Sequence, residues 1–98
     1  MNHGVLHFAP EHPVGPGHFP GNAIIPGALL LAEAVQLIAT GLERQLGVST
    51  IKSAKFFYPV RPGETVEVEY GISAAQEIRF QCAVGATKVL AGVLNAAV

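Results

Sequence analysis

The sequence predicts an α+β domain, an antiparallel β-sheet wrapped around one central helix, on three observations. Residues 28–46 form one long helical stretch, and Leu29, Leu30 and Leu31 point to three different sides of a 3.6-residue turn. A helix whose first two turns are apolar all round is buried rather than laid on a surface. No other stretch has helical periodicity to bundle with it, and the later segments alternate apolar and polar residues with the two-residue period of strands. The sheet must therefore supply the helix's cover.

Residues 5–8 are short and β-prone and stop before Pro10, which predicts a first strand. Pro10, Pro13, Gly15, Pro16, Gly17, Pro20 and Gly21 then crowd one stretch. Proline cannot donate to a strand ladder and glycine admits positive φ, so this is a long loop. Phe19, Ile24 and Ile25 within it favour an ordered, functional loop. Pro26 and Gly27 lead into the helix, which turns polar at Glu43-Arg44-Gln45 and has Gly47 as its expected C-cap. Strands are expected at residues 51–58, 65–72, 77–86 and 89–96, the first closed by the turn Pro59-Val60-Arg61-Pro62-Gly63. Val66, Val68 and Tyr70 share one face, as do Ile78, Phe80, Cys82 and Val84.

Residues 1–98 are expected to form one domain. Half of them are hydrophobic and 13% are charged, sparse for a small monomer, so apolar surface is expected to be covered by a second copy. A net charge of −1 gives no reason to expect nucleic acid or an anionic membrane. The single cysteine, Cys82, excludes an internal disulfide and reads as a buried inert thiol. The start, Met-Asn-His-Gly-Val, lacks the regions of a signal peptide. The apolar run 24–38 is broken by Pro26, Glu33 and Gln36 and is too short to span a bilayer. The expectation is a soluble, cytoplasmic protein.

The chemistry centres on His18 and the helix start. A helix N-terminus offers unpaired N–H groups and partial positive charge, which suit a carbonyl or an oxyanion. His18 stands nine residues before Gly27, and an imidazole suits proton abstraction near neutral pH. The bland reading of His18 is a loop imidazole satisfied by backbone carbonyls. His3, His7 and His12 have no partner cluster and the chain has no Asp, so no metal site is expected. Glu64, Glu67 and Glu69 read as solvating charges on a strand. Lys52, Lys55, Arg61 and Arg44 read either as a basic patch for an acidic carrier protein or a phosphopantetheine arm, or as an ordinary surface.

The stretch His18, Phe19, Pro20, Gly21, Ile24, Pro26, Gly27, Leu29, Leu31 and Gln36 reads H-F-P-G-x-x-I-x-P-G-x-L-x-L-x-x-x-x-Q. It resembles the signature of the bacterial 3-hydroxyacyl-carrier-protein dehydratases, which have the hotdog fold. The run K-F-F-Y-P-V-R-P-G-E also looks like the strand and turn that follow the helix in hotdog proteins. The resemblance implies a homodimer, further association being open. It implies a thioester substrate carried on the phosphopantetheine of an acyl carrier protein or on coenzyme A, with no other cofactor. His18 would be the base, and the Gly27 N–H would hold the thioester carbonyl. Phe19, Leu29 and Leu30 would line the acyl tunnel beside Pro20, Gly21, Pro26 and Gln36.

The family's catalytic acid, contributed by the partner subunit fourteen residues after the histidine, falls here on Ala32, which has no proton to give. The next residue, Glu33, lies about 100° round the helix and three residues before Gln36. Buried in an apolar helix, its carboxyl would stay protonated and serve as the acid. Its other reading is a carboxylate directed to solvent or across a dimer interface. Three functions follow in parallel: dehydration to the trans-2-enoyl thioester, thioester hydrolysis, or a non-catalytic partner that binds acyl carrier.

Overall fold

A computed structural model describes residues 2–9, 24–46, 50–73 and 76–95. Strand β1 (Asn2–His7) is followed by helix α1 (Gly27–Leu42), then β2 (Ile51–Phe56), β3 (Thr65–Ile72), β4 (Glu77–Val84) and β5 (Thr87–Asn95). The five strands form one antiparallel sheet in the order β1-β3-β4-β5-β2. Strands β3, β4 and β5 make a meander, with β1 and β2 added at its two edges. The chain between β1 and β2 must therefore cross the sheet, and α1 lies on the face it crosses. No helix among the described residues is long and apolar enough to cross a membrane.

Strand alternation sets the two faces. Gly4, Val68, Cys82, Leu90 and Phe56 pair in succession across all five strands and point toward the helix. The next row outward on the same strands, His3, Glu69, Gln81, Ala91 and Lys55, points away from it. Strand β5 breaks alternation once. A register shift at Cys82/Ala83 leaves Val89 as an extra residue, so Val89 and Leu90 are both buried. Leu30, Ala34, Val35, Ile38 and Ala39 of the helix meet Val66, Val68, Ile78, Phe80 and Leu94 of the sheet in one core.

Strand β3 matches its expected limits, and the others differ at their ends. β1 begins at Asn2 because its pairing with β3 runs from Asn2–Tyr70 to His7–Thr65. β4 stops at Val84, where Gly85, at φ 59°, turns the chain into β5. The helix is shorter than expected. It ends at Leu42, where Glu43 takes the left-handed conformation, at φ 54° and ψ 45°. Glu43 N–H donates to the Thr40 carbonyl at 3.2 Å and Arg44 N–H to the Ala39 carbonyl at 3.0 Å, a Schellman closure. Gly47 lies outside the described residues.

The expectation of a helix covered on every side is also corrected. One sheet has one face to offer, and it covers one side of α1. Ala28, Ala32, Glu33 and Gln36 remain exposed on the other.

Candidate active site

The helix start is anchored by its approach. Ile25 N–H donates to the Val60 carbonyl at 2.7 Å, and both side chains are buried, which ties the approach to the turn after β2. Pro26 precedes the first turn at φ −55° and ψ 139°, and its carbonyl accepts from Leu29 and Leu30 N–H, each at 3.0 Å. No side chain caps this end and the first turn carries no acidic residue. Helix geometry leaves the N–H groups of Gly27 and Ala28 without an intrahelical acceptor, and no carboxylate in that turn competes for them.

Gly27 opens onto a cleft of about 380 Å³ whose walls are Ile24, Leu30, Phe56, Phe57, Tyr58 and Pro59. The Phe56 ring stands against the glycine, and a Cβ at Gly27 would lie 3.0 Å from Phe56 Cε1 and 3.2 Å from Cζ. Phe56, Phe57 and Tyr58 are 48%, 41% and 63% exposed, so this wall is an aromatic rim open to solvent. A second cleft, of about 300 Å³, lies along the uncovered side of the helix. Leu31, Ala32, Val35 and Gln36 line it, and Leu46 and Ile51 close it.

The expected site residues are thus divided. Gly27 and Leu30 line the first cleft, Ala32 and Gln36 the second. Pro26 is exposed at the helix cap, and Leu29 is half-buried against the core. Glu33 is exposed and lines neither cleft, so this chain by itself does not bury it as expected. His18, Phe19, Pro20 and Gly21, with His12, lie outside the described residues. No carboxylate, imidazole or ammonium lines either cleft among the described residues, and no three His, Cys, Asp or Glu side chains among them gather to hold a metal. Burial pushes the Cys82 thiol up to about 12, as expected of an inert core cysteine.

The aromatic rim was missed in the sequence, although its signal was present. Phe56-Phe57-Tyr58 puts three large rings in succession at a strand end. Alternation can turn only every second one inward, so at least one must face solvent.

Comparison with known proteins agrees with this architecture. The family model described as ApeI-like, ApeI dehydratase, matches residues 3–93. A 3-hydroxyacyl-[acyl-carrier-protein] dehydratase FabZ of Acetivibrio thermocellus is 37% identical over 97 residues, covering 92% of this chain and 63% of the relative. The FabZ of Caulobacter sp. (strain K31) is 32% identical over 80 residues, covering 72% of this chain and 49% of that protein. The chain spans roughly half to two thirds of the length of these relatives. Among solved structures, the dehydratase heterocomplex ApeI:P of Xenorhabdus doucetiae superposes with a TM-score of 0.76 at 21% identity, covering 95% of this chain and 83% of its own. A mutant of the fluoroacetyl-CoA-specific thioesterase FlK superposes at 0.68 and 12% identity, over 96% of this chain and 84% of its own. These likenesses give the hotdog fold expected from the sequence, and the family match goes further: the chain belongs to the ApeI-like dehydratase family.

Proposed function

We propose that this chain, as a homodimer, dehydrates a 3-hydroxyacyl thioester carried on an acyl carrier protein or coenzyme A, giving the trans-2-enoyl thioester. The pathway would be fatty acid or related acyl biosynthesis. The helix N-terminus carries the reading: Gly27 opens an apolar cleft where no side chain caps the helix and no acid stands in its first turn. The thioester carbonyl accepts from the Gly27 N–H, which steadies the enolate formed as His18 takes the proton from C2. The C3–O bond then breaks, the C2–H electron pair becomes the C2=C3 bond, and the departing hydroxyl takes a proton to leave as water. No cofactor beyond the carrier's own arm is required.

The donor of that last proton is assigned to Glu33. It would come from the second copy, because Gly27 and the face bearing Ala32 and Gln36 open into different clefts of one chain. A partner helix set against the first cleft would bury its own Glu33 and cover the exposed aromatic rim.

A second reading has one specific observation in its favour. Ala32 lines a groove with no acid among its walls, as in a non-catalytic subunit that binds acyl carrier or completes an active paralogue. The two separate on products. Incubated with a panel of 3-hydroxyacyl thioesters, the purified protein is expected to form enoyl product without releasing free thiol. Thiol alone would replace the dehydratase with a thioesterase. Neither product, with a folded dimer that binds the thioester, would establish the partner subunit.

A further inference from the structure

The peptide unit between Val60 and Arg61 is held from both sides. On one side the Val60 carbonyl accepts the Ile25 N–H at 2.7 Å, the bond that anchors the approach to α1. On the other the Arg61 N–H, which points away from that carbonyl in a trans peptide, donates to Glu64 Oε1 at 2.6 Å. Glu64 also closes the turn through its main chain, donating its own N–H to the Arg61 carbonyl at 3.2 Å. Pro62 and Gly63, the latter at φ 94°, fill the two inner positions in the manner of a type II turn. The end of β1 rests on the same turn, because Phe8 N–H donates to the Glu64 carbonyl at 3.3 Å and the Phe8 carbonyl accepts from Gly63. Glu64, which reads from the sequence as a solvating charge, is instead half-buried and turns a carboxylate oxygen onto the main chain of its own turn.

A carboxylate on the N–H side acts on the carbonyl in two ways. Its charge-assisted hydrogen bond polarises the amide, which strengthens the bond the carbonyl accepts. Two bonds at opposite ends of one planar unit also fix its tilt, which a single bond leaves free. That tilt reaches the helix start along a short, stiff path. Ile25 and Val60 are 3% and 1% exposed and packed in the core, and the Pro26 ring sets its φ, at −55°. The next residue is Gly27, at the mouth of the first cleft. We infer that Glu64 is a positioning residue for the Gly27 N–H. It sets the Val60–Arg61 peptide plane, and through Ile25 and Pro26 the direction in which the first helical N–H points. Its bearing on turnover rests on the proposed function, in which that N–H holds the thioester carbonyl.

The test compares Glu64→Ala with Glu64→Gln, which loses the charge but keeps an oxygen at the same reach. Glu64→Ala is expected to lower kcat about tenfold and leave KM within about twofold, because a donor aimed at the enolate binds more tightly in the transition state than in the ground state. Glu64→Gln should keep kcat within about threefold of the parent. Glu69→Ala removes the same charge from the outer face of β3 and should leave kcat within about twofold. An unchanged kcat in Glu64→Ala overturns the inference, as does an equal loss in the Ala and Gln variants or a loss carried by KM alone. Amide NMR reads the same geometry without substrate. In Glu64→Ala the Ile25 N–H should exchange with solvent about tenfold faster and the Gly27 amide resonance should move, and both should return toward the parent in Glu64→Gln. Those changes sustain the positioning role even in a protein that dehydrates no thioester. Parent-like Ile25 and Gly27 amides in Glu64→Ala overturn it with or without turnover. If Glu64→Ala fails to fold, Glu64→Thr, whose oxygen stands nearer the main chain, serves in the same comparisons.

Discussion

The Phe56 ring occupies the space where a side chain at Gly27 would stand, 3.0 Å from the position of the missing Cβ. The first residue of the helix and the last of β2 are thus fitted to each other at the point where the cleft opens.

Gly27→Ala tests that fit. A half-exposed ring can retreat a few tenths of an ångström, and alanine favours a helix over glycine by up to about 1 kcal/mol. The melting temperature should therefore move by no more than a few degrees. Turnover should fall at least tenfold, because the methyl group and the displaced ring both stand in front of the Gly27 N–H. Thermal melts and steady-state rates on the same sample check both halves.

The catalytic assignments separate by substitution. His18→Ala should abolish enoyl formation, and an active His18→Ala protein would sink the mechanism. Ala32→Glu should raise turnover, since Ala32 is exposed and lines a groove with room for a carboxylate. Glu33→Gln in the parent should lower kcat by about a hundredfold if that carboxyl delivers the proton to the hydroxyl.

Gly41 meets Tyr70 much as Gly27 meets Phe56, but here the facing ring is buried. A Cβ there would lie 1.9 Å from the Tyr70 hydroxyl, and Tyr70 is only 4% exposed. Gly41→Ala should destabilise by about 1–3 kcal/mol through overpacking. Adding Tyr70→Phe should recover part of that loss, since the hydroxyl is the nearest atom, and chemical denaturation of the four proteins in the cycle measures the recovery.

Glu43 holds a left-handed conformation that costs a residue with a Cβ roughly 1 kcal/mol. Glu43→Gly should keep the Schellman closure and raise stability by about 0.5–1 kcal/mol, read as a higher denaturation midpoint.

Glu77 is held below its ordinary carboxylate value of 4.5, first by its hydrogen bond with Lys52 and then by the Lys52 charge, which outweigh an opposing effect of desolvation; Arg79 adds the smallest contribution. A carboxylate with a lowered folded-state pKa adds stability above its unfolded value and loses it as pH falls through the folded one. The stability gap between the parent and Lys52→Gln should therefore be constant above about pH 5.5 and close below pH 4.5. A gap unchanged down to pH 3 would remove Glu77 as its source.

Strand positions were legible because Val66/Val68/Tyr70 and Ile78/Phe80/Cys82 alternate cleanly, and burial follows that alternation residue by residue. The end of the helix was not. Glycine is the usual residue for a left-handed cap, so Gly47 stood out, while the backbone made the same turn four residues earlier at Glu43. The uncovered helix side was hidden for another reason. Leu29, Leu30 and Leu31 record that every side is apolar, but not whether the cover comes from the same chain or from a second one. Gly27 stood out from its place at the expected helix start, and the helix begins there. The aromatic rim was passed over because Phe57 and Tyr58 were taken into the strand, whereas β2 ends at Phe56 and leaves the next two rings at its end.

The strand order carries a consequence for how the site is made. β3, β4 and β5 join through short connections and are local pairings, whereas β2 pairs with β5, the last strand in the sequence. The wall formed by Phe56 and Phe57 therefore has no ladder to lean on until β5 is in place, and that pairing closes a loop of more than thirty residues. During synthesis the helix and its glycine emerge well before the strand that completes their cleft. The cleft is expected to be a late product of folding, assembled after the meander that supports it.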